Sequence, residues 1–271
     1  MGAFGPLIET RLRVLSWNIW WQFGPWQERL PAISATLARI DADVVCLQEV
    51  WEVEGRNQAA ELAAGLGFDH VYGTRIDWDG VRFGNAVLSR WPIRGSEVCA
   101  LPAPSEHEEF RTVVRADVDG PRGPLQVYST HLNWRFDHSY VRQDQVRRLC
   151  EFVHGAPARS YPPIVGGDFN APPDSHEVQM MTGRAAVAAP PLVFYDAWEV
   201  AGGGGPGHTW SNANPFAALD LEPDRRIDYL FVGWPKHGGA GHILEARVEA
   251  VDPVDGIHPS DHYAVCAELR Y

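Results

Sequence analysis

Along this chain, apolar and alternating runs end repeatedly on a single polar side chain. Arg11-Leu-Arg-Val-Leu-Ser-Trp17-Asn18 alternates into a strand that finishes on an amide. After Pro25, the residues Leu30, Ile33, Leu37 and Ile40 recur at helical spacing and predict a helix. Ala42 to Leu47 is a continuous apolar strand running into Gln48-Glu49, which sets a carboxylate at its C-terminal end. Gln58 to Leu66 predicts a second helix, with Ala59, Leu62, Ala63 and Leu66 on one face, and Phe68 to Tyr72 and Phe83 to Ser89 read as strands.

Arg111 to Asp117 alternates cleanly, Pro121 and Gly123 turn the chain, and Leu125 to Leu132 returns as the second arm of a hairpin, with His131 near its far end. Ser139 to Val153 carries Val146, Leu149, Cys150 and Val153 on one helical face. The apolar run Pro163-Ile164-Val165-Gly166-Gly167 delivers Asp168 and Asn170, two residues apart and therefore on one face of an extended strand. Pro172-Pro173-Asp174 followed by Glu177 has the form of a capping box opening a fourth helix. The glycine-rich stretch from Gly202 to Gly207 lacks the Lys-Ser/Thr tail of a phosphate-binding loop and reads as a mobile connection. Arg226 to Val232, Ile243 to Val251 and Tyr263 to Leu269 supply three further strands, the last preceded by His258-Pro-Ser-Asp261-His262.

About ten strands and four helices in this order predict an α/β protein, with two sheets packed face to face and covered by helices. No linker or repeat divides the chain, so residues 1–271 are expected to form a single domain. With 45% hydrophobic and 21% charged residues, the composition is that of a globular protein with ample core. Residues Met1 to Thr10 lack a basic start followed by an apolar stretch, and no run reaches the length of a membrane span, so a cytoplasmic location without a stable membrane anchor is the expectation. Twenty-three basic against 35 acidic residues give a net charge of −12, which disfavours nucleic acid as a partner, although metal ions can bridge acidic side chains to a polyanion. Cys46, Cys99, Cys150 and Cys266 are widely spaced in apolar contexts and read as buried thiols.

Six strand ends carry polar groups: Asn18, Glu49, His131, Asp168 with Asn170, Asp228, and Asp261 with His262. Taken singly, an Asn or Asp there starts a turn. Six together predict one site, because polar groups at core edges need partners. Glu49 and Asp261 are hard oxygen ligands suited to Mg²⁺, with Asn18 as a neutral helper, and His262 is a general base oriented by Asp228. The His258/His262 spacing would suit zinc on a helix, which Pro259 makes a poor expectation. Trp21, Trp134 and Trp210 are candidates for the rim of an apolar pocket.

In order, the segments LSWNIW, LQEVWE, STHLNW, GGDFNAP, RRIDYLF and SDHYAV resemble the motifs of the endonuclease/exonuclease/phosphatase superfamily, from about Arg11 to Tyr271. The resemblance implies a four-layer α/β sandwich of two mainly antiparallel sheets flanked by helices. It also implies a Mg²⁺- or Mn²⁺-dependent phosphoesterase acting on a phosphate-ester substrate. Glu49 would be the principal metal ligand, assisted by Asn18 and Asp261, and Asp228 would pair with His262, which activates the water or supports the phosphate. Asp168 and Asn170 would orient the nucleophile and the transition state, His131 would face the scissile phosphate, and Arg111 is the loosest match to a phosphate contact. Relatives that act at abasic sites usually carry an acidic residue two positions after the asparagine, whereas this chain has Trp20. With the acidic surface, this favours a small-molecule or lipid-derived phosphodiester over DNA or RNA. A nuclease, or a catalytically silent binding protein on the same fold, are the alternatives.

Overall fold

The computed structural model describes residues 10–103 and 110–271, so the reading of the chain's first residues lies outside the described part. Strand β1 (Arg11–Asn18), helix α1 (Trp26–Ile40), β2 (Val44–Val53), a short β3 (Arg56–Asn57) and α2 (Gln58–Leu66) come first. They are followed by β4 (Asp69–Trp78), β5 (Val81–Ser89), β6 (Ile93–Ala100), β7 (Thr112–Gly120), β8 (Gly123–His131) and α3 (Ser139–Gly155). The remainder comprises β9 (Ile164–Asp168), α4 (His176–Thr182), β10 (Phe194–Asp196), α5 (Ala197–Ala201), β11 (Asp228–Gly233), β12 (Ile243–Glu249) and β13 (Ala264–Arg270).

Two sheets result, one in the order β12-β13-β1-β2-β5-β4 with β3 beside β2, the other in the order β10-β11-β9-β8-β7-β6. Neighbours are antiparallel except β1 with β2 and β8 with β9. Each parallel pair is joined through a helix, α1 or α3, as a parallel connection requires. Leu12, Val14, Val44 and Cys46 of the first sheet meet Val118, Val127, Ile164 and Leu230 of the second in the central core. On the outer face of the first sheet, Ile33 and Leu37 of α1 and Leu62 of α2 cover Leu15, Trp17 and Leu47. Val146 and Leu149 of α3 and Met181 of α4 cover Val165 and Phe231 of the second sheet. The four layers are therefore helices, sheet, sheet and helices. A Cβ on Gly166 would lie 2.7 Å from that of Cys46, so this glycine lets the two sheets approach.

Several elements differ from the sequence reading. β6 shows little burial and no clean alternation because it is an edge strand, and β3 and β10 are too short to carry a period. β4 continues past Tyr72 to Trp78. The capping box is not formed: α4 begins at His176, and Glu177 is instead buried against Arg142 at 2.6 Å. The ion pair wins because Arg142 is itself buried, with its guanidinium also on the carbonyls of Asn133 (3.2 Å) and Arg135 (2.6 Å). The glycine-rich stretch wraps the Trp198 indole, whose N–H donates to the Gly205 carbonyl at 3.3 Å, and a Cβ at Gly202 or Gly207 would strike that ring. Among the described residues, no helix is long and apolar enough to cross a membrane.

Candidate active site

The strand directions bring the polar ends to one edge of the sandwich. Asn18 is aligned with Gln48 across the parallel pair β1/β2, and His131 with Asp168 across β8/β9. Asp228 opens the antiparallel strand β11 opposite Asp168, and Asp261 and His262 lead into β13, antiparallel to β1. Both sheets thus contribute side chains to the same place.

Glu49 does not end its strand. β2 runs on to Val53, but its register with β5 shifts between Leu47 and Val50, and Glu49 has φ of 56°. This bulge places two residues where one would fit and separates their directions. Gln48 turns inward and its amide donates to Ser129 Oγ at 3.0 Å, while Glu49 enters the site. Asn170 also departs from expectation. It lies beyond β9 with φ of 51°, so it reaches the site through a turn in which its backbone N–H donates to Asp168 Oδ1 at 2.8 Å, not through strand alternation.

A continuous polar network follows. Asn18 Nδ2 donates to Glu49 Oε1 (3.1 Å) and Asp168 Oδ2 (3.0 Å), while its Oδ1 accepts the Trp20 N–H (3.0 Å). Asn170 Nδ2 lies 3.0 Å from His131 Nε2 and donates to the Leu132 carbonyl. His131 Nε2 is 3.4 Å from Asp168 Oδ2. His262 Nδ1 is 2.8 Å from Asp228 Oδ2, which leaves Nε2 facing the pocket 3.7 Å from Asp168 Oδ2. Trp210 meets the His262 ring edge-on at 4.9 Å.

Two supports were not visible in the sequence reading. Fully buried Arg29 of α1 donates to the carbonyls of Ile19, Trp20, Trp21, Phe23 and Pro259, tying the loop after β1 to the segment before Asp261. Its guanidinium carbon also sits 4.6 Å from the centre of the Trp20 ring. Asn214 Nδ2 donates to the carbonyls of Ser260 (2.8 Å) and Asp261 (3.1 Å). The available signal for Arg29 was its place on the apolar stripe of α1, with Ala32, Ile33 and Thr36. Asn214 lies in a loop and offered none.

Burial dominates the electrostatics. It raises the Glu49 carboxyl pKa and, together with the nearby Glu49 charge, pushes Asp261 up to about 7 against the opposing influence of His262 and Arg29. Asp168 is raised by burial and by Asp228. Burial also opposes a charge on His262, but the carboxylates of Asp228, Asp168 and Asp261 outweigh it and hold that imidazole well above its ordinary pKa. His131 has no such compensation: burial, Arg111 and His262 all drive it well below the ordinary value. Arg111 stands just before β7, buried, with its guanidinium carbon 5.6 Å from the Phe83 ring centre.

Two carboxylate sets bear on a cation. Asp168, Asp228 and His262 bring ligand-type atoms within 4.8 Å of one another, and there Asp228 Oδ2 is already taken by His262 Nδ1 at 2.8 Å. At Glu49 the need is unmet. Its Oε2 is buried without a hydrogen-bond partner among the described residues, and Asp261 is its acidic neighbour. Hard oxygen donors held this way fit Mg²⁺ or Mn²⁺.

These groups floor a pocket of about 1050 Å³, with Arg111 and Asn170 among its lining. Trp20, Trp78, Phe83, Phe110, Trp134 and Trp210 line its walls. Trp134 and Trp210 were expected there. Trp21 stands behind the wall, packed edge-on against Trp78 at 5.3 Å, and Trp20 takes the lining position.

Residues 15–262 match the family model described as "Endonuclease/Exonuclease/phosphatase family", and the chain belongs to that family. Its members are hydrolases acting on phosphodiester bonds and generally use divalent metal ions. The chain is 27% identical over 289 residues to an inositol phosphosphingolipids phospholipase C of Schizosaccharomyces pombe, covering 94% of this chain and 67% of that protein. It is 33% identical over 177 residues to the uncharacterized protein YbhP of Escherichia coli, covering 60% of this chain and 68% of YbhP. The chain thus spans about two thirds of the length of these curated relatives. Among solved structures, an endonuclease/exonuclease/phosphatase from Beutenbergia cavernae superposes with a TM-score of 0.71 at 27% identity, covering 96% of this chain and 71% of that one. The D. rerio TDP2 complex with a single-strand DNA product gives 0.79 at 20% identity, covering 97% and 100%, a likeness of fold.

Proposed function

We propose that this protein is a Mg²⁺- or Mn²⁺-dependent phosphodiesterase that hydrolyses a small-molecule or lipid-derived phosphodiester by attack of an activated water. The observation that carries the reading is the buried, partnerless Glu49 Oε2 beside Asp261, on the same pocket floor as the Asp228–His262 pair. Glu49 and Asp261 would hold the cation, with Asn18 fixing the Glu49 carboxylate. When bound, the cation neutralises a non-bridging phosphate oxygen and assists departure of the leaving oxygen.

The chain's own groups supply the rest. Asp228 fixes the His262 ring so that Nε2 faces the pocket, and the raised pKa makes this a positively charged donor toward the phosphate. Asp168, held by Asn18 and by the Asn170 N–H, is then the acceptor placed to take the proton of the attacking water. Of the two roles the resemblance allows His262, activating the water or supporting the phosphate, we adopt the second. Neutral His131 and Asn170 bind the phosphate without adding charge, and Arg111 adds one beside them.

The substrate preference is supported by the net charge of −12, which opposes a polyanion. A nuclease is the second reading, favoured by wall aromatics on which bases can stack. The test is hydrolysis of plasmid DNA, sphingomyelin and a nitrophenyl phosphodiester in parallel, under Mg²⁺ and Mn²⁺ titration, with Glu49→Gln as comparator. The variant is expected to need a higher metal concentration for half-maximal rate; an unchanged titration removes Glu49 as a ligand. Plasmid nicking far faster than diester cleavage, with steep salt dependence, would establish the nuclease instead.

A further inference from the structure

Large apolar side chains are unevenly distributed over the surface. Four of the pocket-lining aromatics, Phe23, Trp78, Phe110 and Trp134, are also exposed, each by more than 40%. Phe136, 58% exposed, lies over Arg225 of the pocket lining, with the guanidinium carbon 4.6 Å from its ring centre. Leu219 and Leu221 are 77% and 88% exposed and flank Asp220, which lines the pocket together with Glu222. More than half of the large exposed apolar side chains among the described residues thus line this pocket or adjoin residues that line it. Leu221 breaks two local rules at once: it holds φ of 58°, a conformation suited to Gly or Asn, and presents an isobutyl group to water. The positive φ closes the short 3-10 turn Ala217–Asp220 as its left-handed cap, and that turn is what carries the leucine out into water.

We infer that this ring seats the mouth of the pocket on the interface of a zwitterionic phospholipid bilayer, reversibly and without an anchor. The inference rests on the phosphodiesterase reading of the pocket floor, because that reading says what the opening must admit. In a bilayer the phosphates lie at the boundary between apolar chains and water, the level where Trp and other amphipathic side chains settle. A mouth ringed by aromatic and leucine tips, with phosphate-directed Arg111 and His262 at depth, matches that layering. Charge selects the lipid type. The opening carries both signs, Asp77, Asp220 and Glu222 beside Arg75 and Arg225, which matches headgroups that carry both signs, while the net charge of −12 disfavours an anionic surface. The net charge of the chain opposes a polynucleotide on this ring, and a protein seated there would close the entrance that a bilayer supplies with substrate.

The test uses vesicles of phosphatidylcholine alone, or with added phosphatidylserine, in flotation with the wild-type protein and the double variant Leu219→Ser/Leu221→Asn. Both side chains lie outside the pocket lining and are largely exposed, so the variant should fold and hydrolyse a water-soluble nitrophenyl diester like the wild type. The wild type is expected to float with phosphatidylcholine, less well with phosphatidylserine present, and the variant to partition on the order of tenfold more weakly. A wild type that stays in solution, or a variant that floats equally well, overturns the inference. So does a loss in the variant of single-stranded oligonucleotide binding, or the dissociation of a wild-type dimer, since the ring would then serve bases or a second copy. Flotation with no diester hydrolysis by the wild type would sink the phosphodiesterase reading and leave the docking surface; hydrolysis without flotation would do the reverse.

Discussion

At the floor of the pocket, His131, Asp168 and His262 are buried near the ends of core strands and hydrogen-bonded to Asn170, Asn18 and Asp228 respectively. At its walls, Trp78, Phe110 and Trp134 are about half exposed and belong to the end of β4, the segment before β7 and the loop before α3. One region is over-determined, since moving any of its side chains would strand a buried polar partner. The other is held mainly by ring packing, such as Trp21 on Trp78 and Trp78 on Phe83, and tolerates exchange of one apolar surface for another. The difference separates two tasks: the floor sets the reaction, and the walls set what can approach it.

The sharpest way to break this comparison is His262→Ala. Turnover should fall by about 10² to 10³ on every substrate, because the floor is common to all. The protein should also lose about 3–5 kcal/mol of stability, since Asp228 is left buried and unpaired. Adding Asp228→Asn should recover much of the thermal stability and none of the activity. Recovery of activity in the double variant would mean the pair is structural only.

Arg29→Lys comes next. A lysine has three donors where the guanidinium meets five carbonyls, so a drop in melting temperature and a roughly tenfold fall in kcat are expected. A variant with normal stability and normal metal titration would show that the loop carrying Trp20 does not depend on this hub. Trp78→Ala addresses the wall. It should change KM for an amphiphilic substrate by a few-fold and leave kcat for a small nitrophenyl diester nearly unchanged. Equal losses in kcat on both would place Trp78 with the floor.

The mildest probe leaves the protein unaltered and follows the two histidines by imidazole NMR in the metal-free state. Near pH 7, His262 should be protonated and His131 neutral. Because the folded pKa of His262 lies above its unfolded value of about 6.5, the stability it contributes is full below that pH and fades as pH rises through the folded value. His131 acts oppositely: its folded pKa lies below about 6.5, so stability falls as the unfolded chain takes up a proton that the folded one refuses. A neutral His262 at pH 7 would return it to the role of base.

The contrast between floor and walls also governs what could be read from the sequence. Asn18, His131, Asp168 and Asp228 each stand at the end of an apolar strand, where core periodicity makes a polar residue conspicuous. Glu49 was found by the same logic although the strand continues, because the bulge that re-aims it leaves no mark in the letters Leu47 to Trp51. Trp78 escaped notice because β4 is mixed in burial beyond Tyr72, and an edge strand carries no obligatory period. Phe110 lies outside helices and strands, where no spacing rule applies, whereas Trp134, equally outside them, was legible as an aromatic just past the His131 strand end. The bond from Glu177 to Arg142 displaced the expected capping box because burial of a charge outweighs a local cap.

The pairing of β1 has a consequence for how the molecule comes into being. This strand lies between β2, which follows it closely, and β13, which follows every other strand, and Ser260 Oγ reaches back across 242 residues to the Asn18 carbonyl. As the polypeptide leaves the ribosome, one edge of β1 therefore stays unsatisfied until residues on the order of 250 positions further on have emerged. Until then Asn18 and Asp261 cannot share one site, because β13 and the segment before it complete the strand that carries Asn18.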